Sequence, residues 1–261
     1  MSSRSDHGIR IPRPEGADAR RAPRAVTSLP DGLEHYELKR LLRKVEDQPA
    51  LWEHEIALDN NFVPVLAESS PPPYDPVDLK ALVGKDGPVE IEIGTGKGGF
   101  LARYAELHPD LSLLGIEWTR PIAWFAADKL HRRPHLKHVR VLWADANFFL
   151  RDRMPRSCCQ AFHVYFPDPW PKKSNRKRRI MQPALLALMR RLAVPGCKLH
   201  WGTDYEEYDI STRSLLSGSD GFRLLVPDAE PTDGVMTSFE RKYREEGRAI
   251  YRSVWEIEPE G

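Results

Sequence analysis

The residue with the clearest potential for chemistry is Asp168, a carboxylate between two prolines in the stretch Phe166-Pro-Asp-Pro-Trp170. An apolar run at 161–166, typical of a buried strand, leads into it. Six of the eight residues at 172–179 are cationic: Lys172, Lys173, Arg176, Lys177, Arg178 and Arg179. A carboxylate and an aromatic ring beside a dense basic segment indicate a nucleobase pocket next to a phosphate-binding surface. The alternative is a proline-rich turn followed by a solvated basic helix start.

A second group of polar residues surrounds a glycine-rich turn. The run at 89–93 is strand-like, and Gly94-Thr-Gly-Lys-Gly-Gly99 follows it. Such a turn, with Gly94 and Gly96 at its start, lets a cofactor approach the backbone closely. Glu117 ends the next apolar run, where a carboxylate can accept hydrogen bonds from ribose hydroxyls. These features fit NAD and S-adenosylmethionine equally well, and a P-loop fits worse because Phe100 follows the last glycine.

Two further carboxylates favour S-adenosylmethionine. Glu92 lies in the first predicted strand and Asp145 follows the third. Crowded carboxylates would repel a pyrophosphate, whereas S-adenosylmethionine has no phosphate and carries a sulfonium and an ammonium. The alternative for Glu92 or Asp145 is that its side chain caps a following helix.

The elements that must position these residues alternate along the chain. Strands are predicted at 89–93, 111–116, 139–143, 161–166, 197–201, 222–226 and 248–256. Helices of ten to fifteen residues fall between most of them, which indicates a mostly parallel sheet with helices on both faces. Ligands bind at the carboxyl ends of the strands in such sheets, and every motif above falls at such an end.

Composition bounds the remaining possibilities. The 261 residues carry a net charge of +1, so nucleic-acid binding must depend on local basic clusters. We expect a disordered, arginine-rich tail at 1–30, a helical extension with a proline-rich linker at 31–87, and the main domain at 88–261. Apolar runs are too short to span a membrane and there is no signal peptide, so a cytoplasmic location is the default. The three cysteines have no metal or disulfide spacing, and the sequence leaves the oligomeric state open.

The combined motifs resemble the bacterial tRNA (guanine-N7)-methyltransferase family over roughly residues 88–257. The resemblance is carried by Glu92-Ile-Gly-Thr-Gly-Lys-Gly98, Gly115-Ile-Glu117, Phe166-Pro-Asp-Pro-Trp-Pro-Lys-Lys173 with Asn175-Arg-Lys-Arg-Arg179, Gly202-Thr-Asp204 and Thr237-Ser-Phe-Glu240. It implies a class I methyltransferase fold, which is α/β and Rossmann-like, with a mostly parallel seven-stranded sheet and one antiparallel strand near the C-terminal end. It also implies methyl transfer from S-adenosylmethionine to N7 of guanosine 46 in the tRNA variable loop.

The same resemblance implies roles for individual residues. Asp168 is the implied catalytic residue and also lies near the cofactor. The implied cofactor ligands are Glu92, Glu117 and Asp145. Gly94 and Gly96 of the glycine turn, and Asn147, which can share the adenine contact, complete the candidate cofactor site. The implied tRNA contacts are Lys172, Asp204, Thr237, Ser238, Phe239 and Glu240.

The chemistry leaves several roles open. Guanine N7 has a lone pair and no proton, so catalysis needs alignment and no general base. Asp168 can stabilise the developing positive charge or accept hydrogen bonds from the guanine edge. Trp170 stacks on an extruded base or packs under the turn. Asp204 and Glu240 have the wrong sign for phosphate, so they bind base edges or neutralise neighbouring arginine and lysine side chains.

Three other functions compete with this interpretation. An NAD-linked oxidoreductase accounts for the glycine turn but leaves the Asp168 stretch unexplained. A methyltransferase for exocyclic amines typically has Asp/Asn-Pro-Pro-Tyr/Phe after the fourth strand, from which Asp168-Pro-Trp170 departs. A non-catalytic RNA-binding protein would not need the candidate cofactor carboxylates.

Overall fold

The computed structural model describes residues 76–261. Within them, seven strands form one sheet in the order β3-β2-β1-β4-β5-β7-β6. The strands are β1 Val89–Ile93, β2 Ser112–Glu117, β3 Val139–Trp143, β4 Cys159–Tyr165, β5 Ala193–Thr203, β6 Phe222–Val226 and β7 Tyr251–Ile257. The helices are α1 Leu79–Val83, α2 Gly99–Leu107, α3 Arg120–His131, α4 Ala146–Asp152, α5 Pro183–Leu192, α6 Glu206–Ser217 and α7 Ser238–Glu245, with 3₁₀ turns at Lys173–Arg178 and Thr232–Gly234. The predicted tail at 1–30 and nearly all of the extension and linker lie outside the described residues.

The sheet is mixed, as the resemblance implied. β1 to β5 pair in parallel, while β7 runs antiparallel to both β5 and β6. The central strands are buried on both faces, which explains their continuous apolar sequences. Leu113 and Leu114, neighbours on β2, belong to two different core clusters because successive side chains point to opposite faces. The predicted α/β architecture is confirmed.

The predicted start of the fifth strand was wrong. A strand was predicted to begin at 197, after Pro195-Gly196, but α5 ends at Leu192 and β5 begins at Ala193. The β4–β5 register jumps from Cys159↔Ala193 to Ala161↔Lys198, so the proline and glycine lie in an irregular bulge. A residue without an N–H and a glycine with φ of 81° are typical of such a bulge.

Two helices were not predicted. α7 has no apolar stripe, because six of its eight residues, in the sequence SFERKYRE, are polar or charged. The sequence nevertheless contains an N-cap residue for this helix: the Thr237 side chain accepts a hydrogen bond from the Glu240 amide at 3.0 Å. α4 begins after Asp145, whose side chain caps it.

Residues 76–261 contain no helix with the length and apolar character needed to cross a bilayer. The same part of the chain has no group of three or more histidine, cysteine or acidic side chains that could hold a metal ion.

Candidate active site

The glycine turn between β1 and α2 exposes backbone at the carboxyl edge of the sheet. Gly94, Gly96 and Gly98 have φ values of 77°, 52° and 63°, which glycine adopts without strain. A Cβ on Gly98 would lie 2.9 Å from the Ala126 Cβ, so this glycine also lets α3 pack against the turn. Among residues 76–261, no heavy atom beyond the adjacent residues in sequence lies within 4 Å of a Cβ built on Gly94 or Gly96. The turn can therefore be approached closely by a ligand.

Glu117 joins the end of β2 to this turn. One of its carboxylate oxygens accepts a hydrogen bond from the Gly96 amide at 3.0 Å, and the other accepts one from the Thr119 amide at 2.8 Å. Burial raises the pKa of Glu117, although these backbone hydrogen bonds oppose the rise. The charge of Asp168 raises this pKa further, which shows that the two carboxylates lie within electrostatic range.

Glu92 is the second buried carboxylate of the edge, with 4% of its surface exposed. Burial raises its pKa to about 8; the hydrogen bond from the Thr95 hydroxyl lowers the value and the charge of Glu117 raises it. Glu92 does not cap a helix, since its partner is the Thr95 side chain. Two buried carboxylates with raised pKa values form a site that a cation would stabilise and a phosphate would not.

Asp145 lies at the same edge, beyond β3. Glu117 is the register partner of Trp143, two residues before Asp145. The Asp145 Oδ1 atom accepts a hydrogen bond from the Phe148 amide at 3.1 Å, so the capping alternative is confirmed. Asn147 follows in the first turn of α4, where it is half-buried.

The turn at 166–170, hereafter the Asp168 turn, leaves β4 at the centre of the same edge. The Phe166 amide donates to the Gly202 carbonyl at 2.7 Å, which ties the start of the turn to β5. Phe166 and Trp170 have φ values of 50° and 41°, unusual for bulky residues. Asp168 lies between them and is an exposed residue, so it is accessible at this edge of the sheet.

The basic segment that follows divides into exposed and buried cations. Lys172, Lys173, Lys177 and Arg178 are exposed, and the Arg178 guanidinium lies over the half-buried Trp170 ring at 4.8 Å from its centroid. The prediction that Arg179 contacts phosphate is wrong, because this residue is only 6% exposed and bonds within the protein. The sequence alone could not show that Arg179 is buried while the cations beside it are exposed.

The acidic members of the predicted substrate set are engaged by arginines. Glu240 is fully buried, with carboxylate–guanidinium distances of 2.6 Å to Arg252 and 3.0 Å to Arg244. Asp204 is half-buried and accepts a hydrogen bond from Arg248 at 2.9 Å. Both residues therefore neutralise neighbouring arginine side chains, which is one of the two predicted alternatives. A direct tRNA contact by the Glu240 side chain is therefore wrong for this conformation.

The other three members lie where α7 meets the glycine turn. Thr237 is buried and caps α7, and Ser238 Oγ would be 3.0 Å from a Cβ on Gly99. Phe239 is 53% exposed, and its ring lies 5.9 Å from the Tyr243 ring, which in turn lies 5.7 Å from Phe166. Tyr243 extends this row of aromatic rings toward the Asp168 turn and was not predicted from the sequence.

A glycine turn after the first strand, buried carboxylates along the same edge and an antiparallel seventh strand define a class I S-adenosylmethionine-dependent methyltransferase. The 16S rRNA methyltransferase KamB shares this fold, with a TM-score of 0.52 and 18% identity over 70% of this chain and 93% of that chain. A family model described as "Putative methyltransferase" matches residues 86–253.

Curated relatives specify the family further. A tRNA (guanine-N(7)-)-methyltransferase of Hydrogenovibrio crunogenus is 33% identical over 181 residues, covering 69% of this chain and 75% of the relative. Its counterpart in Alkalilimnicola ehrlichii is 34% identical over 194 residues, covering 72% and 80%. The chain belongs to the tRNA (guanine-N7)-methyltransferase family. S-adenosylmethionine is therefore its cofactor, which decides against the NAD-linked alternative.

Proposed function

We propose that this chain transfers the methyl group of S-adenosylmethionine to N7 of guanosine 46 in the variable loop of tRNA. The observation that carries the proposal is the Asp168 turn, which presents an exposed carboxylate beside the cofactor edge and continues into exposed lysines. The named relatives support guanine N7 of tRNA as the target. The resemblance of the Asp168 stretch to the family motif supports position 46.

The cofactor residues fit a cationic ligand. When bound, S-adenosylmethionine supplies a methyl group on a positively charged sulfur. Glu92 and Glu117 offset the positive charges of the sulfonium and the ammonium. Gly94 and Gly96 let the cofactor approach the backbone closely. Asp145 and Asn147 bind the cofactor at the end of β3. This donor set suits a ligand without phosphate.

The substrate residues act by holding the base. Guanine N7 carries no proton, so alignment of its lone pair is the main requirement. Asp168 binds the guanine edge or stabilises the positive charge that develops on the ring. Lys172 and the neighbouring exposed lysines bind phosphates, and Phe239 offers a face on which a base can stack.

Cofactor affinity is expected to depend on pH through Glu92. In the ligand-free protein this carboxyl has a pKa of about 8, so it is mostly protonated at pH 6 to 7. A cationic ligand favours the ionised form, so binding releases a proton below pH 8. The contribution of Glu92 to affinity should rise by up to about tenfold per pH unit toward pH 8 and then level off. Calorimetric titration with S-adenosylmethionine between pH 6 and 9 measures this slope.

The Glu92→Gln variant is the matched control for that titration. The ammonium of the cofactor titrates in both proteins, so the difference between the two pH curves reports the Glu92 carboxyl group together with its coupling to Glu117. The same slope in both proteins would show that Glu92 does not ionise on binding.

Position 46 is tested with two tRNA transcripts that differ only at that nucleotide. Transfer of labelled methyl groups to the G46 transcript and its loss with the A46 transcript are expected. Equal labelling of both transcripts would place the methylated guanosine elsewhere.

A further inference from the structure

The guanidinium of Arg179 lies inside the protein and bridges two structural elements. Its side chain is 4% exposed. The Nε atom donates to the Pro169 carbonyl at 2.8 Å, within the Asp168 turn. The Nη groups donate to Glu207 and, at 3.1 Å, to the Ser211 hydroxyl, both on α6. Arg179 therefore ties the backbone of the Asp168 turn to a helix.

This guanidinium is held on several sides. It lies over the Tyr208 ring, 4.4 Å from the centroid. Glu207, the carboxylate partner of Arg179, also forms a 3.0 Å ion pair with Arg176. Because the Arg179 side chain is almost fully buried and its donors are hydrogen-bonded within the protein, it is poorly placed to bind a phosphate.

The Asp168 turn needs such support. Phe166 and Trp170 flank Asp168 closely, and both have positive φ values, of 50° and 41°. Bulky residues persist in this region only when surrounding contacts over-determine the backbone. The carbonyl that Arg179 binds belongs to Pro169, the residue between Asp168 and Trp170. The hydrogen bond thus acts at the strained part of the turn.

We propose that Arg179 is a positioning residue that holds the Asp168 turn in the conformation that presents the carboxylate to the substrate. Its action on methyl transfer rests on the proposed function. The contribution is geometric, since a shift of about 1 Å at a reacting centre can cost on the order of 10²-fold in rate.

The test compares Arg179→Met with wild type in tRNA binding, single-turnover methylation and amide hydrogen exchange. We expect a rate at saturating tRNA lower by about 10²-fold. The tRNA Kd and its salt dependence should be nearly unchanged, and amides within 166–172 should exchange faster. A flatter salt dependence with an unchanged rate would show a phosphate contact and overturn the proposal.

Lys177→Met is the matched control, because it removes the same charge from an exposed position two residues away. It should weaken tRNA binding and reduce the slope of log K against log salt by about 0.7 to 0.9. The same reduction in Arg179→Met would contradict the positioning role.

Glu207→Gln tests the clamp from its other end and covers the case in which Arg179→Met does not fold. It should slow methylation in the same direction, by roughly tenfold if it displaces the turn by less than 1 Å. The double variant should be no slower than Arg179→Met, since both changes remove one support. A full rate in Glu207→Gln, or additive losses, would overturn the proposal.

Hydrogen exchange separates this proposal from the proposed function. If wild type transfers no methyl group to tRNA, the proposed function fails, but exchange at 166–172 still reports the clamp. Unchanged amide hydrogen exchange at 166–172 in folded Arg179→Met would then refute the positioning role of Arg179.

Discussion

Replacing Asp168 by alanine is expected to lower the rate of methyl transfer by at least about 10²-fold while S-adenosylmethionine binding stays within about threefold of wild type. The carboxylate is exposed on its turn, so its loss should not disturb the core. It lies within electrostatic range of Glu117, the buried carboxylate of the cofactor edge. Single-turnover methylation of tRNA and calorimetric cofactor titration measure the two quantities.

Asp168→Asn separates the two roles that the chemistry allows. The amide oxygen can still accept one hydrogen bond from the guanine edge, but the negative charge is gone. A rate near wild type would favour hydrogen bonding, and a rate near that of Asp168→Ala would favour charge stabilisation. Asp220→Ala is the control, since it removes an exposed carboxylate from the loop before β6. Near-normal turnover in Asp168→Ala would refute the catalytic role.

Replacing Glu240 by alanine is expected to cost about 3–5 kcal/mol of unfolding free energy. Glu240 is fully buried, and it is paired with Arg252, whose side chain is 4% exposed. Its loss would leave the buried Arg252 guanidinium without its carboxylate partner. For a domain of this size, the melting temperature should fall by roughly 10 °C, which thermal and urea unfolding can measure.

Glu245→Ala is the control on the same helix, because Glu245 is exposed. It should change stability by no more than about 0.5 kcal/mol. Unchanged stability in Glu240→Ala together with weaker tRNA binding would restore Glu240 as a substrate contact and contradict its role as an internal anchor.

The sheet was predictable because its strands are short, apolar and separated by helical patterns. Parallel strands with buried apolar side chains leave a strong signal, and β1 and β3 have the predicted bounds. Placing the motifs at one edge then followed from the topology. The β5 boundary failed because Pro195-Gly196 reads as a break, whereas the sheet accommodates it in a bulge.

The burial of charged residues could not be predicted from their local sequence. Arg179 lies in a run of cations that resembles a solvated surface, and its partner Glu207 is 28 residues away. Glu240 sits in a helix of almost uniform polarity, and its buried partner Arg252 lies on β7. Both pairings depend on tertiary contacts, and together they change two expected RNA contacts into internal supports.

The most direct test of the central claim is to incubate the protein with unmodified tRNA and methyl-labelled S-adenosylmethionine and then to identify the methylated atom. Borohydride reduction followed by aniline cleaves RNA at N7-methylguanosine, so the cleavage site maps the product. The proposed function predicts label in 7-methylguanosine and one new cleavage, in the variable loop at position 46. Label on any other atom, or cofactor binding without transfer to tRNA, would contradict it.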